Sequence, residues 1–247
     1  MTAETALAAA RPAAAPPWAR LVLAIAAATA GLVGLALVFA GTPTYEAIAR
    51  ESGFERNAFH VPARGDPPRR EVRYDVPALV ELHAWTLRYV LEGRLAVALP
   101  RDPTFSDPLF TEDEQAHLDD VSVVFGAARV AALAALGVFA GIVAGTSRGG
   151  WVVSLRAARD AVALAALLVA AIGGLAAVAF EPAFLAFHRL FFPQGNFLFD
   201  PATSNLLALY PDPYWYGVTL RIGAAFVGLA GAVALAATLA LRVRTAR

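Results

Sequence analysis

The stretch FTEDEQAHLDDVSVVFGAARVAALAALGVFAGIVA, Phe110–Ala144, opens as a charged helix start and closes as a membrane span. Thr111 followed by Glu114 is a capping box: the hydroxyl accepts a free backbone N–H and the glutamate returns the bond. Glu112, Asp113 and Glu114 also suit the positive end of a helix dipole. No breaker intervenes before Gly145, so one helix is predicted from Glu112 to Ala144. At 1.5 Å per residue it is about 50 Å long, well beyond one bilayer. Its first turns must therefore project out of the hydrocarbon and carry His117 with them. On that projecting part Glu114, His117 and Asp120 recur every third residue and share a face. A carboxylate beside an imidazole fixes its tautomer and favours its protonated form. The plainer reading of the same residues is a solvated helix cap.

Working outward, three further segments are long and apolar enough to span: Leu21–Ala40, Ala161–Phe180 and Gly223–Leu241, alongside Ala127–Ala144. The chain is 58% hydrophobic and 16% charged over 247 residues, with mean hydropathy +0.58, too apolar for a water-soluble domain. The first span's apolar run is longer than the roughly 7–15 residues of a signal peptide core, and a retained helix is expected. Residues 1–19, rich in Ala and Pro, read as a disordered cytoplasmic tail, and 20–247 as a single four-span domain. Every basic side chain is Arg and net charge is zero, so nothing calls for a nucleic-acid partner. Cysteine is absent, which excludes disulfides, thiolate metal sites and a cysteine nucleophile.

Orientation follows from arginine in the short flanks. Arg11 and Arg20, then Arg148, Arg156 and Arg159, then Arg242, Arg244 and Arg247 are opposed only by Glu4 and Asp160. The connection Glu181–Gly217 carries Arg189 alone. The positive-inside rule puts both termini in the cytoplasm, and 41–120 and 181–217 outside as extracytoplasmic loops holding short interfacial helices. Within the first loop, 41–75 reads as irregular surface chain, with His60 exposed. From Pro77 to Leu95 a helical spacing of leucines predicts a helix on the membrane surface or capping the bundle, with His83 packed beside Trp85.

The second loop contains FHRLFFPQGNFLFDP, Phe187–Pro201. Phe184, Phe187, His188, Phe191 and Phe192 form an aromatic stripe at helical spacing, and Glu181-Pro182 ends the preceding span. Pro193 stops the stripe, Gln194-Gly195-Asn196 reads as a tight turn, and Asp200 follows. Downstream, Tyr214, Trp215 and Tyr216 suit an aromatic belt at the headgroups. Anchoring alone does not explain a histidine on the apolar stripe beside two amides and a carboxylate. Glu114-x-x-His117 has the spacing of di-iron bundles, but no second copy exists, so neither metal nor cofactor is expected. A serine nucleophile at Ser106 or Ser204 has no supporting motif.

Together F-T-E-x-E-x-x-H-L-x-D-V (Phe110–Val121) and F-H-x-x-F-F-P-Q-G-N-x-L-F-D-P…L-Y-P-x-x-x-W (Phe187–Trp215) resemble the lipoprotein intramolecular transacylase (Lit) family of membrane proteins. The resemblance implies an enzyme at the outer face of the bacterial cytoplasmic membrane acting on diacylated lipoproteins. It would move the sn-2 acyl chain onto the α-amine of the N-terminal cysteine. The family's motif histidines fall on His117 and His188. Phe197 stands where the family would have Trp, and Ser204 where an acid is common. Chemistry assigns the rest: histidine as general base and acid, and Gln194, Asn196, Glu114, Asp120 and Asp200 as supporting groups, the amides as oxyanion donors. Phe187, Phe191, Phe192 and Phe197 would line the acyl-chain pocket. The competing expectation is a non-enzymatic protein that binds membrane lipids or lipoproteins in the same pocket.

Overall fold

In the bilayer a backbone must satisfy its own hydrogen bonds, so apolar segments of this length become helices. The computed structural model describes residues 16–62, 69–93 and 108–245. It contains α1 (Pro17–Phe39), α2 (Thr42–Ser52), β1 (Phe59–Pro62), β2 (Arg69–Val72), α3 (Val76–Glu92), α4 (Glu112–Thr146), α5 (Trp151–Val178), α6 (Phe180–Phe191), α7 (Asn205–Leu209) and α8 (Asp212–Thr245). Of these, α1, α4, α5 and α8 are long and apolar enough to cross a membrane. Helix α1 already begins at Pro17, inside the segment expected to be disordered; residues 1–15 lie outside the described residues.

Helix α4 is continuous over 35 residues, as its sequence predicts. Its capping box is formed both ways: Thr111 N–H donates to Glu114 Oε2 at 2.8 Å, and Glu114 N–H to Thr111 Oγ1 at 3.3 Å. A short 3₁₀ turn, Ser147–Gly149, leads to α5, so Arg156, Arg159 and Asp160 sit on the helix and not in a loop. Helix α5 ends at Val178, two residues before the expected stop. Ala179 leaves helical geometry, and Pro182 lies in the first turn of α6, where a missing N–H costs nothing.

The chain forms two compact units. The first comprises residues up to Leu32, Ala131–Ala171 and Ala224–Arg247. It is built by close approach of small side chains: Leu23, Ala157 and Ala161 pack with Phe139, Ile142 and Val143. A Cβ on Gly31 would stand 2.5 Å from the Phe226 ring, so only glycine allows that contact. Leu133, Leu167 and Leu229 are exposed, as side chains solvated by hydrocarbon are.

The second unit, Val33–Val130 with Ile172–Gly223, has a core of the kind found in water-soluble domains. Tyr45, Ile48, Phe54, Phe59, Leu79, Leu82, Tyr89, Leu109, Phe110, Leu118, Leu206, Leu209, Tyr210 and Tyr214 are buried together. Helix α3 buries a stripe of Leu79, Leu82, His83, Thr86, Tyr89 and Val90 and leaves Trp85 exposed. For the segment before it the sequence expectation needs correction. The expected irregular segment contains α2, closed by Gly53 in the left-handed region (φ 69°), and then an antiparallel β1–β2 hairpin with His60 opposite Glu71. His60 is on a strand and half-buried. The hairpin is pinned by Asn205, whose Oδ1 accepts His60 N–H at 2.7 Å and whose Nδ2 donates to the His60 carbonyl (3.1 Å) and Leu109 carbonyl (2.5 Å). Tyr214 belongs to the core and not to an aromatic belt, whereas Tyr216 is exposed.

His83 is structural, as its neighbourhood with Trp85 suggests. Its ring stacks on Tyr45 at 4.2 Å, with Nδ1 3.0 Å from Tyr210 Oη and Nε2 2.9 Å from the Ala40 carbonyl. Burial pushes its pKa down to about 4 from the ordinary 6.5.

Candidate active site

The three polar residues on the first turns of α4 have separate tasks. Glu114 is almost fully buried, and its carboxylate is consumed by structure. Oε2 closes the capping box, while Oε1 accepts Ser204 Oγ–H at 2.5 Å and Leu206 N–H at 2.9 Å. An anion with three donors is satisfied without a histidine. Ser204 also accepts Leu207 N–H at 3.1 Å as the N-cap of α7, so its hydroxyl is doubly committed and buried. That is the geometry of a clamp and not of a nucleophile. Ser106 lies outside the described residues.

Asp120, not Glu114, is the carboxylate that interacts electrostatically with His117. Its Oδ2 accepts Gln194 Nε2 at 2.7 Å and Asn196 Nδ2 at 2.6 Å, across 74 and 76 residues of chain. The intervening turn makes this possible. Pro193 biases Phe192 out of helical geometry, so α6 ends there. Gly195 N–H then donates to the Phe192 carbonyl at 3.0 Å, with Gly195 at φ 82°. Gln194 and Asn196 leave that turn toward one anion.

The two histidines come together although 70 residues of chain separate them: their ring centroids are 6.1 Å apart and the planes 22° from parallel. His117 is 6% exposed, against Phe192 at 4.8 Å and Phe199 at 5.7 Å. His188 packs on Phe184 (4.1 Å), Phe197 (5.2 Å), Phe192 (5.5 Å) and Phe187 (5.6 Å). His188 Nδ1 is 2.9 Å from the Phe184 carbonyl, one helical turn back. A carbonyl only accepts, so Nδ1 carries the hydrogen and Nε2 presents a lone pair. Burial moves the His188 pKa below 6.5, so the ring is neutral near pH 7.

Not every expected residue joins this cluster. Phe191 touches neither imidazole among the described ring contacts and Phe187 meets His188 only edge-on; both are exposed, with tilted rings 4.6 Å apart, and extend an apolar surface outward. Asp200 is exposed and closes a turn by accepting Ala202 N–H at 2.9 Å; among the described residues it contacts neither imidazole. Phe184, part of the predicted stripe but not of the predicted pocket, packs on His188 from one turn before it, and Phe199, which sequence reasoning missed, alternates with Phe197 and reaches His117. Among the described residues no three His, Asp or Glu side chains are grouped to hold a metal ion.

A family model described as lipoprotein intramolecular transacylase Lit matches residues 74–215, a span that contains both histidines and both amides. No curated protein matches the chain. Among solved structures, the in meso structure of the membrane integral lipoprotein intramolecular transacylase Lit from Bacillus cereus is similar in fold. The TM-score is 0.65 at 13% identity, and the alignment covers 92% of this chain and 96% of that one. With more than half of its length matched by that model, the chain is a multi-pass membrane protein that belongs to the lipoprotein intramolecular transacylase Lit family.

Proposed function

We propose that this chain moves the sn-2 acyl group of a diacylated lipoprotein onto the α-amine of its N-terminal cysteine, leaving the lyso form. The observation that carries the mechanism is the facing pair of imidazoles packed among phenylalanine rings, one with its tautomer set by a backbone carbonyl. Lipoprotein and membrane lipids are the partners that such a site suits. The arginine distribution supports cytoplasmic termini and a site at the outer face.

An α-ammonium has a pKa near about 8 and must shed a proton before it can attack an ester. His188 Nε2, a bare lone pair in an aromatic environment, takes a proton from the amine as its nitrogen bonds the acyl carbon. The tetrahedral intermediate then collapses and the acyl–oxygen bond breaks. The proton then passes from His188 to the facing His117 ring, beside the Asp120 carboxylate, and from it to the departing glycerol oxygen, which returns both rings to the neutral form. One C–N bond forms, one C–O bond breaks, and the surplus ammonium proton leaves to solvent. Nucleophile and ester belong to one molecule, so holding them close supplies much of the acceleration. The phenylalanines hold acyl chains and exclude water, which would otherwise hydrolyse the ester.

The test is to express each of His117→Asn and His188→Asn with a diacylated lipoprotein and to follow the acyl chain by mass spectrometry of the N-terminal peptide. Transfer should collapse while membrane insertion and substrate binding persist. Near-normal transfer by both variants would defeat the histidine chemistry, whereas transfer no greater with the native chain than without it would support a lipoprotein-binding protein with no catalytic step.

A further inference from the structure

Two buried polar atoms of the second unit have no hydrogen-bond partner among the described residues at this site: His117 Nδ1 and Asn196 Oδ1. Their side chains are neighbours: burial and the His188 ring push the His117 pKa down to about 4, and the Asp120 carboxylate and the Asn196 side chain are near enough to oppose that in part. The orientation of the Asn196 amide is not arbitrary. Asp120 Oδ2, at 2.6 Å, is an acceptor, so the NH₂ of Asn196 must face it. The carbonyl oxygen, on the other side of the amide carbon in the same plane, is thereby turned away from Asp120. Gln194 donates to the same Oδ2 at 2.7 Å and keeps the carboxylate from rotating away.

We infer that Asn196 is a positioning residue for His117: Asp120 aims its Oδ1 at Nδ1, and the two unpartnered atoms close into one Nδ1–H···Oδ1 bond in the working site. Leaving a buried donor and a buried acceptor unmet is unfavourable, and each is the complement of the other. Hydrogen bonds of this kind are often long without substrate and tighten when the site is filled. The relay runs from Asp120 through Asn196 to His117. It makes Asn196 an acceptor toward the ring and not an oxyanion donor, and Asp120 acts on the imidazole through an amide as well as through space. Both histidines then carry hydrogen on Nδ1, one held by the Phe184 carbonyl and the other by Asn196, and both work through Nε2.

The inference rests on the transacylase reading only for the meaning of rates; the tautomer stands apart from any reaction. Full-length protein labelled with ¹⁵N-histidine and reconstituted in lipid, with His117 assigned by its absence in His117→Asn, should show His117 protonated at Nδ1 at neutral pH. Asn196→Leu should move that proton toward Nε2. Unprotonated Nδ1 in the native protein, or an unchanged tautomer in Asn196→Leu, overturns the inference even if transfer is confirmed.

A rate measurement adds a second arm. Asp120→Asn and Asn196→Asp should each slow transfer about 10²-fold, through kcat more than KM. The exchanged pair, carrying both substitutions, restores a carboxylate–amide bond and should regain all but about 10-fold of the rate. Its pH–rate profile should also shift upward, because a carboxylate then faces His117 directly. The other groups around that ring, His188, Phe192 and Phe199, are unchanged in this pair. A pair no faster than its single variants, with an unmoved profile, defeats the relay. If a single variant does not fold, the native tautomer alone decides.

Discussion

The two compact units of this chain are held together by different physics. In the first, Leu23, Ala157 and Ala161 of α1 and α5 pack with Phe139, Ile142 and Val143 of α4, and the helices satisfy their own backbone hydrogen bonds. In the second, the decisive bonds join side chains to partners far along the chain: Ser204 to Glu114 across 90 residues, Asn205 to Leu109 across 96, Asn57 to the Ala208 carbonyl across 151. Hydropathy suffices to build the first unit. The second depends on a few specific polar contacts, and it is the unit that carries the histidine pair. The difference predicts that sensitivity to substitution is concentrated there.

The largest effect should come from the pair itself. His117→Asn or His188→Asn should lower acyl transfer by about 10²- to 10⁴-fold with the thermal transition retained, measured by mass spectrometry and by unfolding in detergent. For His188 the sign with pH is set by burial. Its pKa lies below 6.5, so base capacity is full at neutral pH and the acid limb of the rate profile should lie below pH 6.5.

Next, Glu114→Ala removes an acceptor from the Thr111 and Leu206 N–H groups and from the Ser204 hydroxyl. A cost of about 3 kcal/mol is expected, read as a lower denaturation midpoint, with transfer lost alongside. A change this large with transfer intact would separate the clamp from the site and break the comparison.

Acid should act on the second unit through His83. Its folded pKa is about 4 against 6.5 unfolded, so the unfolded chain binds the extra proton first. Stability is therefore full above pH 6.5 and falls as the pH drops through that window toward 4, by about 3 kcal/mol. His83→Phe should flatten this dependence, which denaturation at a series of pH values would measure.

Smaller still, Ser204→Ala loses an N-cap and one bond to Glu114, for about 1 kcal/mol by thermal denaturation. Transfer should follow the folded fraction, with no acyl-serine trapped. In the first unit Leu167→Ala, on a side chain 69% exposed, should change the midpoint by less than about 0.5 kcal/mol. An effect as large as that of Ser204→Ala would mean that the lipid-facing surface of the first unit is a packed interface.

The sequence by itself determined the four apolar helices, the capping box at Thr111 and Glu114, the unbroken α4 and the aromatic stripe around His188, because each follows from neighbours within a few turns. It also singled out both histidines. Only the tertiary structure decided that Glu114 holds α7 while Asp120 lies beside His117, that His83 is buried with one stripe of α3, that 41–75 contains a helix and a hairpin, and that Asp200 stays in its turn. Spacing shows which residues share a face of one element. Which partner a carboxylate or amide meets depends on chain returning from as far as 170 residues away, and no local pattern encodes that return.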